Sequence, residues 1–198
     1  MILGENLLLA YGAKYENYAA NQKIFSEGSY PKYYFQIING VVELNNYHFD
    51  GREFVQNIFS SGESLDESLL FNDRPYPMNA IAKTKCSILK IPKLDFFNLL
   101  TKHPEVSLAI YRSLSDKLYN KYKMLFSLSS PDPIFKIRTL LDDLKSNSLE
   151  TKPYSFEIPF TRQQLANLTG LRVETVIRAV KKMEKDNVLK IDNRRIYY

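Results

Sequence analysis

Residues 161–185, TRQQLANLTGLRVETVIRAVKKMEK, hold two short helical periods split by one glycine, a pattern that fits a helix-turn-helix. At about 100° per residue the second period places Val173, Val176, Val180 and Met183 on one stripe, with Glu174, Arg178, Lys181 and Lys185 roughly opposite. One face packs and the other is left for a partner. Thr161 and Gln164, three apart, form a capping-box signature at the start of the first helix. Leu165 and Leu168 are its packing face, Gly170 frees the turn, and Leu171 plugs the angle between the helices.

Charge points to the same end of the chain. Residues 1–132 balance 14 Lys and Arg against 14 Asp and Glu, whereas residues 133–198 hold 13 against 8, so the whole net +5 lies in the last third. Such a surface suits a polyanion, because each phosphate contact releases condensed counterions. With 44% hydrophobic residues over 198 positions, the chain can bury one large core or two small ones. The lone Cys86 excludes an intrachain disulfide and fits a reducing compartment. The start, MILGENLLLAYG, lacks a basic leader, and no apolar run approaches the roughly 18 residues of a bilayer span. A cytoplasmic protein with no membrane partner is expected.

Gly28, Gly40, Gly51 and Gly62 recur every eleven or twelve residues, two of them in the hairpin dipeptides Asn39-Gly40 and Asp50-Gly51. Between them run Tyr33–Ile38, Val41–Leu44 and Phe54–Phe59, followed later by Ala80–Ala82 and Ser87–Ile91, all of strand length and composition. Roughly six to eight short strands predict a barrel or roll from about residue 20 to 92. After Pro92 the period turns helical through Leu94, Phe97 and Leu100. Beyond Pro104 a helix of about 24 residues is expected, with Tyr111, Leu114, Leu118, Tyr122 and Leu125 as an apolar seam that suits a second copy of the chain. SLSSPDP interrupts it, with Asp132 capping and Pro133 opening a helix over 133–145 that presents Ile134, Ile137, Leu140, Leu141 and Leu144. A loop over 146–153, a strand over Tyr154–Ile158, the helix-turn-helix and a two-stranded wing turning around Asp192-Asn193 complete a winged helix. The expected domains are 1–104, a β-roll; 105–132, a dimerisation helix and hinge; and 133–198, the winged helix-turn-helix. The fold class is α+β.

These parts together resemble the Crp/Fnr transcription regulators over nearly the whole chain. The most specific stretch is TRQQLANLTGLRVETVIRAVKKMEKDNVL; Gly40-Val41-Val42, Gly51 and SGESLDESLLF match more loosely. The resemblance implies a cyclic-nucleotide-binding-like roll, a homodimer, a palindromic double-stranded DNA site, and RNA polymerase as a partner. It assigns base reading to Glu174 and Arg178. Geometry agrees, since residues four apart share a helix face, Arg can fork onto guanine and Glu can accept from cytosine, each contact worth about 1–3 kcal/mol of discrimination. A G·C-containing half-site is expected. Val173 stands where the cyclic-AMP receptor protein has Arg, and it either meets a thymine methyl or packs. Thr161, Arg162, Gln163, Thr175 and Lys181, with Arg194 and Arg195 on the wing, look like phosphate contacts that set register. Two recognition helices would lie about 34 Å apart.

The effector site departs from the family. Members that bind cyclic nucleotides use Gly-Glu for the ribose and Arg-Ser for the phosphate, and the best alignment puts Asp66-Glu67, followed by Ser68, and Met78-Asn79 at those places. Glu67 could accept from a ribose hydroxyl, but Asp66 adds negative charge and Met78 offers a phosphate no donor. Cyclic nucleotide is therefore not expected, leaving another small molecule or none. Asp66 and Glu67 would point to opposite sides of a strand. One cysteine excludes an iron–sulfur cluster, and His48 and His103 have no ligand-spaced partner, so neither metal nor cofactor is expected. No catalytic constellation stands out. The alternative to a DNA-binding regulator is a small-molecule sensor or protein-interaction module in which DNA binding is absent or secondary.

Overall fold

The computed structural model describes residues 3–146, 148 and 150–198. Its β-rich part starts earlier than the glycine spacing suggests. Helix α1 (Glu5–Ala10) precedes β1 (Lys14–Tyr18) and β2 (Lys23–Phe25), two strands the sequence reading missed. Then come β3 (Tyr33–Asn39), β4 (Val42–Tyr47), β5 (Glu53–Phe59), a 3₁₀ turn (Glu67–Phe71), β6 (Asn79–Ala82) and β7 (Cys86–Pro92). Two antiparallel sheets form, in the orders β1-β7-β3 and β2-β6-β4-β5. Asp50-Gly51 lies between the paired strands β4 and β5, as read. Asn39-Gly40 does not make a hairpin: β3 and β4 belong to different sheets, so the chain crosses over there. Gly40 has φ +107, and a Cβ on it would stand 2.5 Å from Cys86 Sγ and 2.7 Å from the Lys85 carbonyl oxygen. This glycine serves close backbone approach.

Burial explains the strand compositions. Phe35, Ile37, Val42, Leu44, Ala80, Ala82 and Ile88 meet Phe25, Phe59, Leu65, Tyr76 and Met78 in one core cluster. Tyr34, Leu89 and Ile91 meet Leu8, α2 (Lys93–Lys102) through Phe96 and Leu99, and the start of α3 (Pro104–Ser129) through Val106 and Ile110 in a second. Helices thus cover one face of the β1-β7-β3 sheet, which is why β3 and β7 read as continuous apolar runs rather than alternating ones. Tyr34 stacks on Phe96 with ring centroids 4.4 Å apart.

The chain divides into two compact units within α3, between Leu118 and Tyr119. The second unit contains α4 (Pro133–Ser146), α5 (Arg162–Thr169), α6 (Val173–Lys185) and the paired strands β8 (Lys190–Asp192) and β9 (Arg195–Tyr197). Asp132 Oδ1 caps α4 by accepting from the Ile134 amide at 2.9 Å, and Ile137 and Leu141 are fully buried against α5 and α6. Part of the loop expected over 146–153, at positions 147 and 149, lies outside the described residues. Tyr154–Ile158 is not a strand. Tyr154 takes φ +58, which breaks the extended run, and only Glu157 bridges to β9, opposite Tyr197. The wing turns at Asn193-Arg194, both at positive φ (46° and 68°), one residue later than read. Positive φ at both central positions is the two-residue hairpin geometry that matches strand twist.

Candidate nucleic-acid interface and the site in the β-roll

The turn between α5 and α6 is built locally. The Gln164 amide donates to Thr161 Oγ1 at 3.2 Å, and the Thr161 amide donates to Gln164 Oε1 at 2.9 Å, closing the capping box. Gly170 ends α5 at φ 65, where the left-handed region is open to glycine. Leu171 packs into the core beyond the turn. On α6, Val176, Ala179, Val180 and Met183 are buried, while Glu174, Arg178, Lys181 and Lys185 are exposed. Glu174 sits in the first turn and Lys182 and Lys185 in the last, each sign at the end the helix dipole favours. Val173 is half-buried and packs against the unit's core, which favours the packing half of its two readings.

Several expected phosphate contacts have structural partners of their own. Thr161 is exposed, yet its hydroxyl is used in the cap. Gln163 donates to Asn167 Oδ1 at 2.9 Å. The Arg162 guanidinium donates to the Arg194 carbonyl, tying the start of α5 to the wing tip. Arg195 pairs with Glu157 at 2.7 Å, and Tyr197 also donates to that carboxylate at 3.4 Å. Among these residues the structure therefore adds a positioning role for Arg162 and Arg195. Thr175 is half-buried, and Arg194 is exposed at the turn. Arg172, exposed just ahead of α6, and Ile177, exposed on α6 beside Arg178, were not singled out from the sequence.

The five residues aligned with a cyclic-nucleotide site stand in different settings. Asp66 is buried at φ +43 and Glu67 opens the 3₁₀ turn, so they do not alternate along a strand. The cause is the left-handed Asp66, which ends the extended path. Met78, 1% exposed, belongs to the apolar core. Asn79 accepts from the Glu27 amide at 3.2 Å and donates to the Asn45 carbonyl at 3.4 Å. Ser68 is half-buried in the 3₁₀ turn. Glu67, expected to accept from a ribose hydroxyl, is 1% exposed and already accepts from Ser64, Ser113 and Lys117. Burial first, then the nearby Glu67 charge, pushes the Tyr34 hydroxyl well above the usual tyrosine range. Burial and then Asp66 push Tyr76 up as well.

On the long helix, Tyr111, Leu118, Tyr122 and Leu125 are each at least half exposed, whereas Leu114 packs against the roll's second cluster and leaves the seam. Among the described residues no cluster of three or more His, Cys, Asp or Glu could hold a metal, and no helix is long and apolar enough to cross a membrane.

Fold and sites define a two-part architecture, a ligand-domain roll joined to a winged helix-turn-helix. The cyclic nucleotide-binding domain model matches residues 15–103 and the Crp-like helix-turn-helix domain model residues 137–198, well over half of the chain between them. The chain belongs to the Crp/Fnr family and is a transcription regulator rather than an enzyme. It is 26% identical over 175 residues to the cAMP-activated global transcriptional regulator CRP of Haemophilus influenzae, covering 87% of this chain and 78% of that one. It is also 26% identical over 179 residues to the cAMP-activated global transcriptional regulator Vfr of Pseudomonas aeruginosa, covering 88% and 84%. Among solved structures, the c-di-GMP responsive global regulator CLP of Xanthomonas campestris superposes with a TM-score of 0.79 at 26% identity, over 97% of this chain and 96% of that one. A mutant of CooA from Carboxydothermus hydrogenoformans has a TM-score of 0.80 at 17% identity, over 97% and 84%, a likeness of fold alone.

Proposed function

We propose that this regulator is a cytoplasmic homodimer that binds a palindromic DNA site, with α6 in the major groove and Glu174 and Arg178 reading a G·C pair. The observation that carries the reading is the outer face of α6, where these two side chains stand exposed one turn apart beside Lys181. Thr161, Arg162, Gln163, Thr175, Lys181, Arg194 and Arg195 set register on phosphates. The second copy pairs through the exposed Tyr111, Leu118, Tyr122 and Leu125 of α3. RNA polymerase is the partner through which bound regulator acts on transcription. The roll does not take cyclic nucleotide, because Met78 is in the apolar core and Glu67 is occupied.

Selection of bound sequences from a random duplex library tests the reading: enrichment of an inverted repeat with G·C in each half is the expected result, and no enrichment overturns it. Arg178→Ala should relax preference at one base pair, costing about 1–3 kcal/mol there. Arg162→Ala should weaken all sequences alike. Binding that is absent or insensitive to salt would favour a sensor or protein-interaction module instead.

A further inference from the structure

A carboxylate removed from water keeps its charge only when partners replace the lost hydration. Glu67 has three, and two of them come from α3. Ser64 Oγ donates to Oε2 at 2.5 Å, Lys117 Nζ donates to the same oxygen at 2.5 Å, and Ser113 Oγ donates to Oε1 at 3.2 Å. Lys117 also donates to the Ser64 carbonyl at 3.0 Å and to its hydroxyl at 3.1 Å, which uses all three ammonium protons. The ammonium lies 5.2 Å from the centroid of Phe59, a core residue of the roll. Ser113 and Lys117, four apart, share a face of α3 with Ile110, which is fully buried, and Leu114. Tyr111 and Leu118 lie on another face and are exposed. Within one helical segment one face cannot turn without the other, so the Lys117–Glu67 pair fixes the direction in which Tyr111 and Leu118 point.

We propose that Lys117 is an internal ligand of the Glu67 site: it satisfies the carboxylate, ties the roll to the first part of α3, and holds Tyr111 and Leu118 in their pairing register with no small molecule bound. The proposal rests on the homodimeric DNA-binding reading above, and it makes dimerisation and DNA binding of this chain independent of cyclic nucleotide. Lys117 is a positioning residue, remote from DNA in its action.

The test uses the full chain. Lys117→Met alone strands a buried carboxylate and threatens folding, so the informative variant is the doubly neutral Lys117→Met/Glu67→Gln, with Lys117→Arg as the conservative control. Dimer dissociation is followed by sedimentation without DNA, and affinity for the selected duplex by fluorescence anisotropy, each with and without millimolar cyclic AMP or cyclic GMP. Wild type should respond to neither nucleotide. The double variant should stay folded by circular dichroism yet dimerise about tenfold more weakly, about 1.4 kcal/mol, and Lys117→Arg, which keeps the charge, should dimerise like wild type. A double variant that dimerises like wild type, or a wild type tightened by either nucleotide, overturns the proposal. If sedimentation gives the expected weakening but no duplex is selected, the DNA reading fails and the internal ligand stands.

Discussion

The buried carboxylates of the roll and the outer face of α6 in the winged unit treat charge in opposite ways. In the roll, Glu67 is paired with Lys117, and Glu43, 2% exposed, is paired with Lys83 at 3.1 Å. Burial raises the Glu43 carboxyl above the usual range, and the Lys83 contacts only partly offset that. In the winged unit, Glu174, Arg178, Lys181 and Lys185 stand in solvent on α6, without an ion-pair partner among the described residues. Buried charge without a partner is costly, and exposed pairs are worth little. Pairing in the roll therefore serves its own stability and geometry, while unpaired charge on α6 is retained at little cost and is available to another molecule. The difference separates a buried carboxylate whose partners lie within the chain from a helix face whose charges stand in solvent.

The strongest way to break this contrast is to put an unpaired charge in the roll. Met78→Arg restores the residue type that the family resemblance places at the phosphate, but Met78 lies in the apolar core. The expected outcome in denaturant titration is a loss of about 3 kcal/mol or more, with no calorimetric binding of cyclic AMP. Saturable binding by that variant would mean that the site needs only its missing cation.

The contrast also decides what could be read in advance. The helix-turn-helix was legible because its determinants are local: Thr161 and Gln164 are three apart, Gly170 marks the turn, and the apolar stripe of α6 repeats within 13 residues. The strand runs were visible from composition, but their partners were not. Asn39-Gly40 carries a hairpin dipeptide and yet joins two sheets, because β3 pairs with β7 from far along the chain. Strand β1, KYENY, escaped because it pairs only with β7 and is largely exposed, leaving no clean alternation. Glu67 and Lys117 are 50 residues apart, and nothing near Glu67 in sequence announces its cation. Local chemistry was readable; the Glu67–Lys117 pair depends on long-range packing.

Titration of Tyr34 sharpens the picture of the roll. Its hydroxyl donates to Gln36 Oε1 at 2.9 Å and is raised by burial and by Glu67. A raised value means that the folded chain holds the proton after the unfolded chain has released it. Stability from this group is thus complete below the unfolded value of about 10 and falls above it by about 1.4 kcal/mol per pH unit until the folded value is reached. Tyr34→Phe should flatten the fall in melting temperature across that alkaline range. An unchanged slope would show that Tyr34 does not govern it.

A smaller effect is expected at the start of α5. Thr161→Ala removes the hydroxyl that accepts from the Gln164 amide and should cost about 1 kcal/mol of the winged unit's stability. Weaker DNA binding with unchanged stability would assign Thr161 to phosphate contact alone.

The smallest change probes the open face itself. Lys181 is exposed on α6 and has no ion-pair partner among the described residues. A lysine that touches one phosphate releases about one counterion, so Lys181→Ala should lower the slope of log affinity against log salt by about 0.9. The ranking of bound sequences should hold, because phosphates carry no base identity. Anisotropy titrations at several salt concentrations measure both quantities. A changed ranking at an unchanged slope would move Lys181 from the backbone to a base edge, and would extend the reading surface of α6 a turn beyond Glu174 and Arg178.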